Sequence, residues 1–422
     1  MSTPFQLTAE QSAAVESLLN FLQDPDPIIP FFVFSGYAGT GKTSCMREVV
    51  ARLDDSHFNI AFTAPTNKAA KVLKAITGDA VTIYSLLGLR VDKSGELKQV
   101  VAGKPPEGLA DLDCVVIDEA SMVNAVLMKE LKNNVDKFGF KVVFMGDPAQ
   151  LPPVKEVRSP IWELGTDAAL SRVMRHDNQI LTLVTAIREV IDHPAPNIVL
   201  KSDHDENGGV FKLTKPTFKQ AIWDAVQRGD FADGGHAKVI AWRNVTVDSY
   251  NQLIRNALFG VESQTVPFFP GDRIVAGGPL ERNDVPLMTT DEEAVVETVT
   301  ECNHPMEPRY RALELKCVTE VGKTVRLLVP HPASKAQFDA DCQSLAHQAA
   351  ANGKLWKKFW ELKEIFHDVR YAYAITAHRS QGSTYQDVYV DYVDVLANRS
   401  RREAFQCLYV ACSRPTTRLF LA

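Results

Sequence analysis

Residues 36–43 read Gly36-Tyr37-Ala38-Gly39-Thr40-Gly41-Lys42-Thr43 and fit the pattern GxxxxGK[ST]. Glycines at these places free backbone N–H groups to wrap phosphate oxygens. Lys42 is expected to reach the β- and γ-phosphates, and the Thr43 hydroxyl to bind Mg²⁺. The flanks of the stretch carry the fold. Ile28 to Ser35 is a short apolar run among helix breakers and reads as a buried strand. Ser44–Leu53 reads as a helix whose N-terminal dipole favours the phosphates.

Further apolar runs follow at Asn59–Thr63, Cys114–Ile117, Val142–Met145, Val239–Trp242, Val388–Val393 and Leu419–Leu421, with helical stretches between many of them. Fully apolar strands alternating with helices point to an α/β fold with parallel sheets covered on both faces. Upstream, residues 10–23 read as a helix stopped by Asp24-Pro25-Asp26-Pro27. Residues 270–330 break the pattern. Ala294–Thr300, Leu313–Thr319 and Val325–Val329 are β-rich and separated by turn residues, which predicts an antiparallel sheet or small barrel. Helices are expected at Ala333–Ala351 and Lys354–Val369, and the α/β pattern resumes at Tyr371.

A chain of 422 residues exceeds one ordinary core and implies two to four domains. A net charge of −6 argues against a purely electrostatic coat for nucleic acid, so any such contact is expected in a local basic or polar groove. Seven cysteines, none in a CxxC pair, read as reduced core thiols and not as a zinc site. The N-terminus lacks the character of a signal peptide, and no apolar run approaches bilayer length, so a soluble, cytoplasmic protein is expected.

Val115-Val116-Ile117-Asp118-Glu119 supplies the partner expected of a phosphate loop. An apolar strand delivers Asp118 to the Mg²⁺ shell, and Glu119 can polarise a water for attack on the γ-phosphate. Alone, two acids after a strand are a solvated strand end; behind a phosphate loop they read as catalytic. Val142–Met145 runs into Gly146-Asp147-Pro148-Ala149-Gln150-Leu151-Pro152-Pro153. Gln150 stands at the strand's C-terminal edge, where ligands bind in open α/β sheets. There it could sense a γ-phosphate, or it could belong to a proline-rich turn.

Together with other stretches, in order, these elements resemble the superfamily one helicases, and specifically their B branch, which includes the RecD-like enzymes. Leu7-Thr8-Ala9-Glu10-Gln11 is similar to the Q motif, whose glutamine, Gln11, reads adenine. Ala64-Pro65-Thr66-Asn67-Lys68-Ala69-Ala70 resembles motif Ia, and Thr82-Ile83-Tyr84-Ser85-Leu86-Leu87 resembles motif Ib. Leu170–Arg175 resembles motif IV, Tyr373–Thr384 motif V and Leu408–Arg414 motif VI. Within the branch, the short length and Lys354-Leu355-Trp356-Lys357-Lys358-Phe359-Trp360 are similar to the Dda-like enzymes of tailed bacteriophages.

The resemblance implies two RecA-like P-loop domains. Residues 1–170 form the first, with a β-hairpin pin within 88–110 that turns at Asp92-Lys93-Ser94-Gly95. Residues 171–267 and 368–422 form the second, and 268–367 are inserted in it as an SH3-like part (268–330) and a helical tower (331–367). ATP, with Mg²⁺, is expected between the lobes. Gln11, Gly36, Ala38, Gly39, Thr40, Gly41, Lys42, Thr43 and Gly382 would hold the nucleotide, and Thr43 and Asp118 the metal. Lys42, Asp118, Glu119, Gln150, Arg175 and Arg414 would act on it, since phosphoryl transfer needs charge stabilisation more than covalent chemistry.

The activity implied is ATP-dependent DNA unwinding with 5′-to-3′ translocation on single-stranded DNA by a monomer, in a host cell's cytoplasm if phage-encoded. Single-stranded and tailed duplex DNA are the partners, with room for a single-strand-binding protein or replication and recombination proteins. Pro65, Thr66, Asn67, Ser85, Thr376, His378 and Arg379 are the strand contacts. His378 reads otherwise as a capped surface histidine. Trp356 and Trp360 make a stripe beside the apolar face Leu355, Phe359, Leu362, Phe366, so Trp356 either packs on the SH3-like part or stacks on a base. The competing class is a DNA-stimulated P-loop ATPase that loads or remodels a partner without processive unwinding. No spare carboxylate cluster suggests a nuclease.

Overall fold

The computed structural model describes residues 7–53, 58–91, 97–99, 108–173, 179–193, 198–282 and 285–422. The chain divides into two compact units. The first comprises Met1–Lys212, Ser380–Thr384 and Tyr392–Leu421, and the second Leu213–Arg379, Tyr385–Asp391 and Ala422.

The first unit is built on a six-stranded sheet in the order Val81–Thr82, Ile60–Ala64, Cys114–Ile117, Lys141–Gly146, Phe31–Gly36, Ala168–Leu170. The described pairings are parallel throughout. Side chains alternate between two cores, as the two-residue period of a strand requires. Phe32, Phe34, Val116, Val143 and Met145 pack with helices Ala9–Gln23 and Lys42–Leu53 on one face. Val33, Val115, Ile117, Val142 and Phe144 pack with helix Ala125–Phe138 on the other. Both faces are therefore dry, which is why the strands read as unbroken apolar runs. Helix Ala9–Gln23 starts at a capping box between Thr8 and Gln11 and ends at Asp24. The first strand begins at Phe31, later than the sequence suggests: Ile28 is fully exposed and Pro30 stands ahead of the pairing with the neighbouring strand. The unit also holds Gly208–Lys212, parallel to Pro415–Leu421 and antiparallel to Asp203–Asp205.

In the second unit, Ala237–Ala241 lies between Ala374–Thr376 and Tyr385–Val390, both parallel to it. The strand expected at Val388–Val393 thus lies earlier, because Tyr392–Leu396 turns into a helix. A separate antiparallel sheet runs Thr324–Pro330, Arg311–Thr319, Glu293–Asn303, Arg273–Ala276, Val369–Tyr371. Helix Pro332–Ala351 follows it, then a 3₁₀ turn at Gly353–Leu355 and helix Trp356–Lys363. The single helix expected over Lys354–Val369 is cut short because Val369 is taken into the sheet. Tyr310, Phe338 and Phe366 meet edge to face and fasten the long helix to the sheet. The strands Leu89–Val91 and Leu97–Gln99 pair antiparallel in the first unit's Gly88–Val101 segment, while the turn at 92–95 lies outside the described residues. Among the described residues, no helix is long and apolar enough to cross a membrane.

Candidate active site

Three strands of the parallel sheet end at one edge, and each delivers a polar stretch there. Phe31–Gly36 leads into the glycine-rich loop, Cys114–Ile117 into Asp118-Glu119, and Lys141–Gly146 into Asp147. A cavity of about 400 Å³ opens at this edge, lined by Gln11, residues 38–44, Asp118, Glu119, Gln150, residues 382–384 and Arg414. The apolar side chains Val72, Leu73 and Ile76 of helix Asn67–Thr77 close one side.

The loop's shape depends on backbone freedom at Gly39 and Gly41, with φ of 79° and 90°. A Cβ at Gly41 would also stand 2.6 Å from the Gln11 amide nitrogen. Lys42 Nζ folds back and donates to the carbonyls of Gly36 (2.5 Å) and Tyr37 (3.2 Å). Gln11, only 2% exposed, accepts from Thr8 N–H at 3.0 Å and donates to the Thr40 carbonyl at 3.1 Å. Its amide thus braces the phosphate loop. The Tyr37 ring lies 3.7 Å beneath the Arg188 guanidinium.

Asp118 accepts from Glu119 N–H at 2.9 Å. Glu119 holds a left-handed backbone (φ 51°), an uncommon state for a residue with a side chain and one that collects at functional sites. Burial pushes the Glu119 carboxyl above the usual carboxylate range. The adjacent Asp118 reinforces the shift, and the Arg414 and Lys42 cations oppose it. Burial likewise raises Asp118, against the pull of Lys42. A pair of carboxyls beside two cations is a setting in which one can take a proton while a cation holds a phosphate. Thr43 and Asp118 offer hard oxygen donors, the ligand type that Mg²⁺ takes.

Four side chains absent from the sequence expectations, Asp147, Tyr409, Gln381 and Gln406, hold the cavity's lining in place, and the expected Arg414 is itself anchored. Asp147 Oδ2 accepts from Ala38 N–H (2.9 Å) and from the Tyr409 hydroxyl (2.7 Å), while Oδ1 accepts from Ala149 N–H (2.9 Å). Gln381 donates to Gln150 Oε1 at 3.0 Å, and Gln406 donates to the Gln150 carbonyl at 2.9 Å. Arg414, 4% exposed, donates to the carbonyls of Val410 and Ser383 and to the Ser413 hydroxyl. Asp147 and Tyr409 carried a signal of their own. An acid directly after an apolar strand lies at the ligand edge, and a tyrosine in a buried run needs a partner for its hydroxyl.

The remaining expected residues are dispersed. Arg175 lies outside the described residues. In the first unit Pro65 is buried, Asn67 and Ser85 are exposed, and the Thr66 hydroxyl caps helix Asn67–Thr77 by accepting from Ala69 N–H at 3.2 Å. In the second unit Thr376 is half-buried and His378 exposed, Arg379 is ion-paired with Asp291, and Trp356 is 41% exposed with its ring edge-on to Phe359.

Residues 6–203 match the family model described as an AAA domain, and residues 371–422 match the UvrD-like helicase C-terminal domain. The chain is 22% identical to an uncharacterized protein of Acanthamoeba polyphaga mimivirus, over 97% of this chain and 98% of that one. It is 24% identical to the ATP-dependent DNA helicase Dda of Enterobacteria phage T4, over 90% of this chain and 91% of that one. Among solved structures, one of Pif1 helicases, on DNA unwinding at forked double-stranded DNA, aligns with a TM-score of 0.56 at 16% identity. The alignment covers 99% of this chain and 92% of that chain. The fold is accordingly the α/β fold of those enzymes, with two RecA-like domains.

Proposed function

We propose that this chain, which belongs to the B branch of the superfamily one helicases, uses ATP hydrolysis to move along single-stranded DNA and unwind duplex ahead of it. The observation that carries the reading is the cavity at the sheet edge, where a phosphate loop, two carboxyls, Gln150 and Arg414 share one lining. Lys42 and the loop N–H groups bind the triphosphate. Thr43 and Asp118 would hold Mg²⁺, which supplies charge neutralisation on the phosphates when bound. Glu119 orients and deprotonates the attacking water, and Arg414 steadies charge on the transferred phosphoryl group. Arg175 serves as a second cation of that kind. Gln150, held by Gln381 and Gln406, reports whether the γ-phosphate is present.

Pro65, Thr66, Asn67 and Ser85 in one unit, and Thr376 and His378 in the other, are the strand contacts, and we assign 5′-to-3′ polarity. The domain limits follow the sequence reading: lobes at 1–170 and at 171–267 with 368–422, and an insertion at 268–367. The protein acts as a cytoplasmic monomer. Support comes from a relative of nearly the same length, the phage T4 enzyme, which is an ATP-dependent DNA helicase. ATP turnover with and without single-stranded DNA, followed by unwinding of 5′- and 3′-tailed duplexes, tests the reading. Strong stimulation and unwinding only from the 5′ tail are expected. Stimulation without unwinding would instead identify a loader or remodeller.

A further inference from the structure

Motif V contributes Arg379, whose guanidinium is already engaged. Nε donates to Asp291 Oδ1 at 2.5 Å, and Nη2 meets the same carboxylate and donates to the Ala276 carbonyl at 2.9 Å. That carbonyl also accepts from Asp291 N–H at 3.2 Å, so Arg379, Asp291 and Ala276 close a ring of contacts. Asp291 sits in the turn before strand Glu293–Asn303, and Ala276 ends strand Arg273–Ala276. Motif V is thereby bolted to the mouth of the antiparallel sheet. Asp291 has φ 64°, a left-handed backbone that aspartate tolerates better than most side chains. The turn is braced again where Thr289 N–H donates to Glu292 Oε2 at 2.8 Å.

A planar guanidinium can serve a carboxylate and a carbonyl at once, where a lysine would act as a point charge. With both acceptors in place, three of the five N–H donors are taken, and the paired Asp291 carboxylate offsets the charge that a phosphate would meet. We propose that Asp291 and Arg379 form a strut between motif V and the antiparallel insertion, and that Arg379 is a positioning residue and not a phosphate contact. This inference rests on the helicase reading and removes Arg379 from the strand contacts expected from sequence. Through the strut, the insertion sets the segment that carries Thr376 and His378. Arg379 N–H itself faces the Thr376 hydroxyl at 3.4 Å.

The test uses Arg379→Gln, Asp291→Asn and the double variant of the full chain. Asparagine suits the left-handed position, so Asp291→Asn removes charge without distorting the turn. Affinity for an oligo-dT strand is measured against salt, alongside unwinding rate and thermal unfolding. Removing one cation from a phosphate of a single strand flattens the plot of log K against log salt by about 0.7. The strut predicts an unchanged slope in all variants and slower unwinding in both single variants. It also predicts that the double variant is no worse than the poorer single in unwinding and in melting temperature. A slope reduced by about 0.7 in Arg379→Gln would overturn the proposal, since that is the change expected when one phosphate goes unpaired. Wild-type unwinding by Asp291→Asn, or additive losses in melting temperature, would overturn it equally. If the wild type failed to unwind, the helicase reading would fall, while the slope and the melting temperatures would still decide the strut.

Discussion

The Tyr409 hydroxyl and the Ala38 backbone N–H converge on the same oxygen of Asp147, at 2.7 and 2.9 Å. A tyrosine far along the chain thus helps to set a carboxylate that holds the phosphate loop. Burial keeps the phenol well above its ordinary range, so it remains a proton donor at neutral pH. Tyr409→Phe is expected to lower stability by about 1.5–3 kcal/mol, the worth of a hydrogen bond to a charged group. It should also raise KM for ATP, because Ala38 loses its fixed anchor. Urea unfolding and steady-state ATPase assays check both; an unchanged KM would show that the loop holds itself.

Lys42→Ala should abolish hydrolysis and leave the fold intact. Lys42 Nζ contacts only carbonyls of its own loop among the described hydrogen bonds, and the residue packs no core. Turnover should fall by roughly a hundredfold or more, as when a charge-stabilising donor is lost. Thermal unfolding should overlay the wild-type curve, and near-normal turnover would remove the phosphate-loop assignment.

Glu119→Gln should bind ATP and hydrolyse it very slowly, since the amide keeps the shape and loses the basic oxygen. A fall of about a hundredfold is the scale for a general base. Single-turnover assays measure it. A rate above about a tenth of wild type would place the base elsewhere, given the size of such effects.

Arg414 has a structural duty beside its proposed chemical one. Its guanidinium satisfies two buried carbonyls and the Ser413 hydroxyl. Arg414→Ala should therefore lose ATPase activity and also about 1–3 kcal/mol of stability, the cost of leaving buried groups unpaired. Denaturant titration separates the two losses. Unchanged stability would mean that those carbonyls find other donors.

Trp356 is 41% exposed, with one edge of its ring against Phe359. Trp356→Ala should leave the melting temperature nearly unchanged, as surface substitutions usually do. It should weaken single-strand binding by about tenfold, within the range for one stacked base. Fluorescence anisotropy with oligo-dT checks this. A destabilised protein with unchanged affinity would make Trp356 a packing residue.

Local pattern carried most of the α/β core. Cys114–Ile117 is a strand over the same four residues that its apolar run marks, because a strand dry on both faces has no polar residue to blur its ends. Boundaries failed where tertiary pairing overrode periodicity. Val369 continues a helical pattern yet joins a sheet beside Ala276. Tyr392 follows an apolar strand yet opens a helix. The cavity lining drew on short, contiguous motifs that can be read one at a time. The Asp147–Tyr409 contact could not be found in that way, since its partners stand 262 residues apart and nothing local pairs them.

The antiparallel sheet has one more property. Strand Arg273–Ala276 pairs with Val369–Tyr371, with Ala276 opposite Val369 and Gly277 N–H donating to the Asp368 carbonyl at 2.8 Å. The chain therefore leaves for the insertion and returns from it at neighbouring points, as at the neck of a hairpin. Everything between 277 and 368 is an excursion from that neck, and its strand Glu293–Asn303 comes back to pair with the other side of Arg273–Ala276. The excursion is therefore stitched in and not merely hung on: cutting it out at 277 and 368 would leave Arg379 without Asp291 and the buried Lys238 without Glu293.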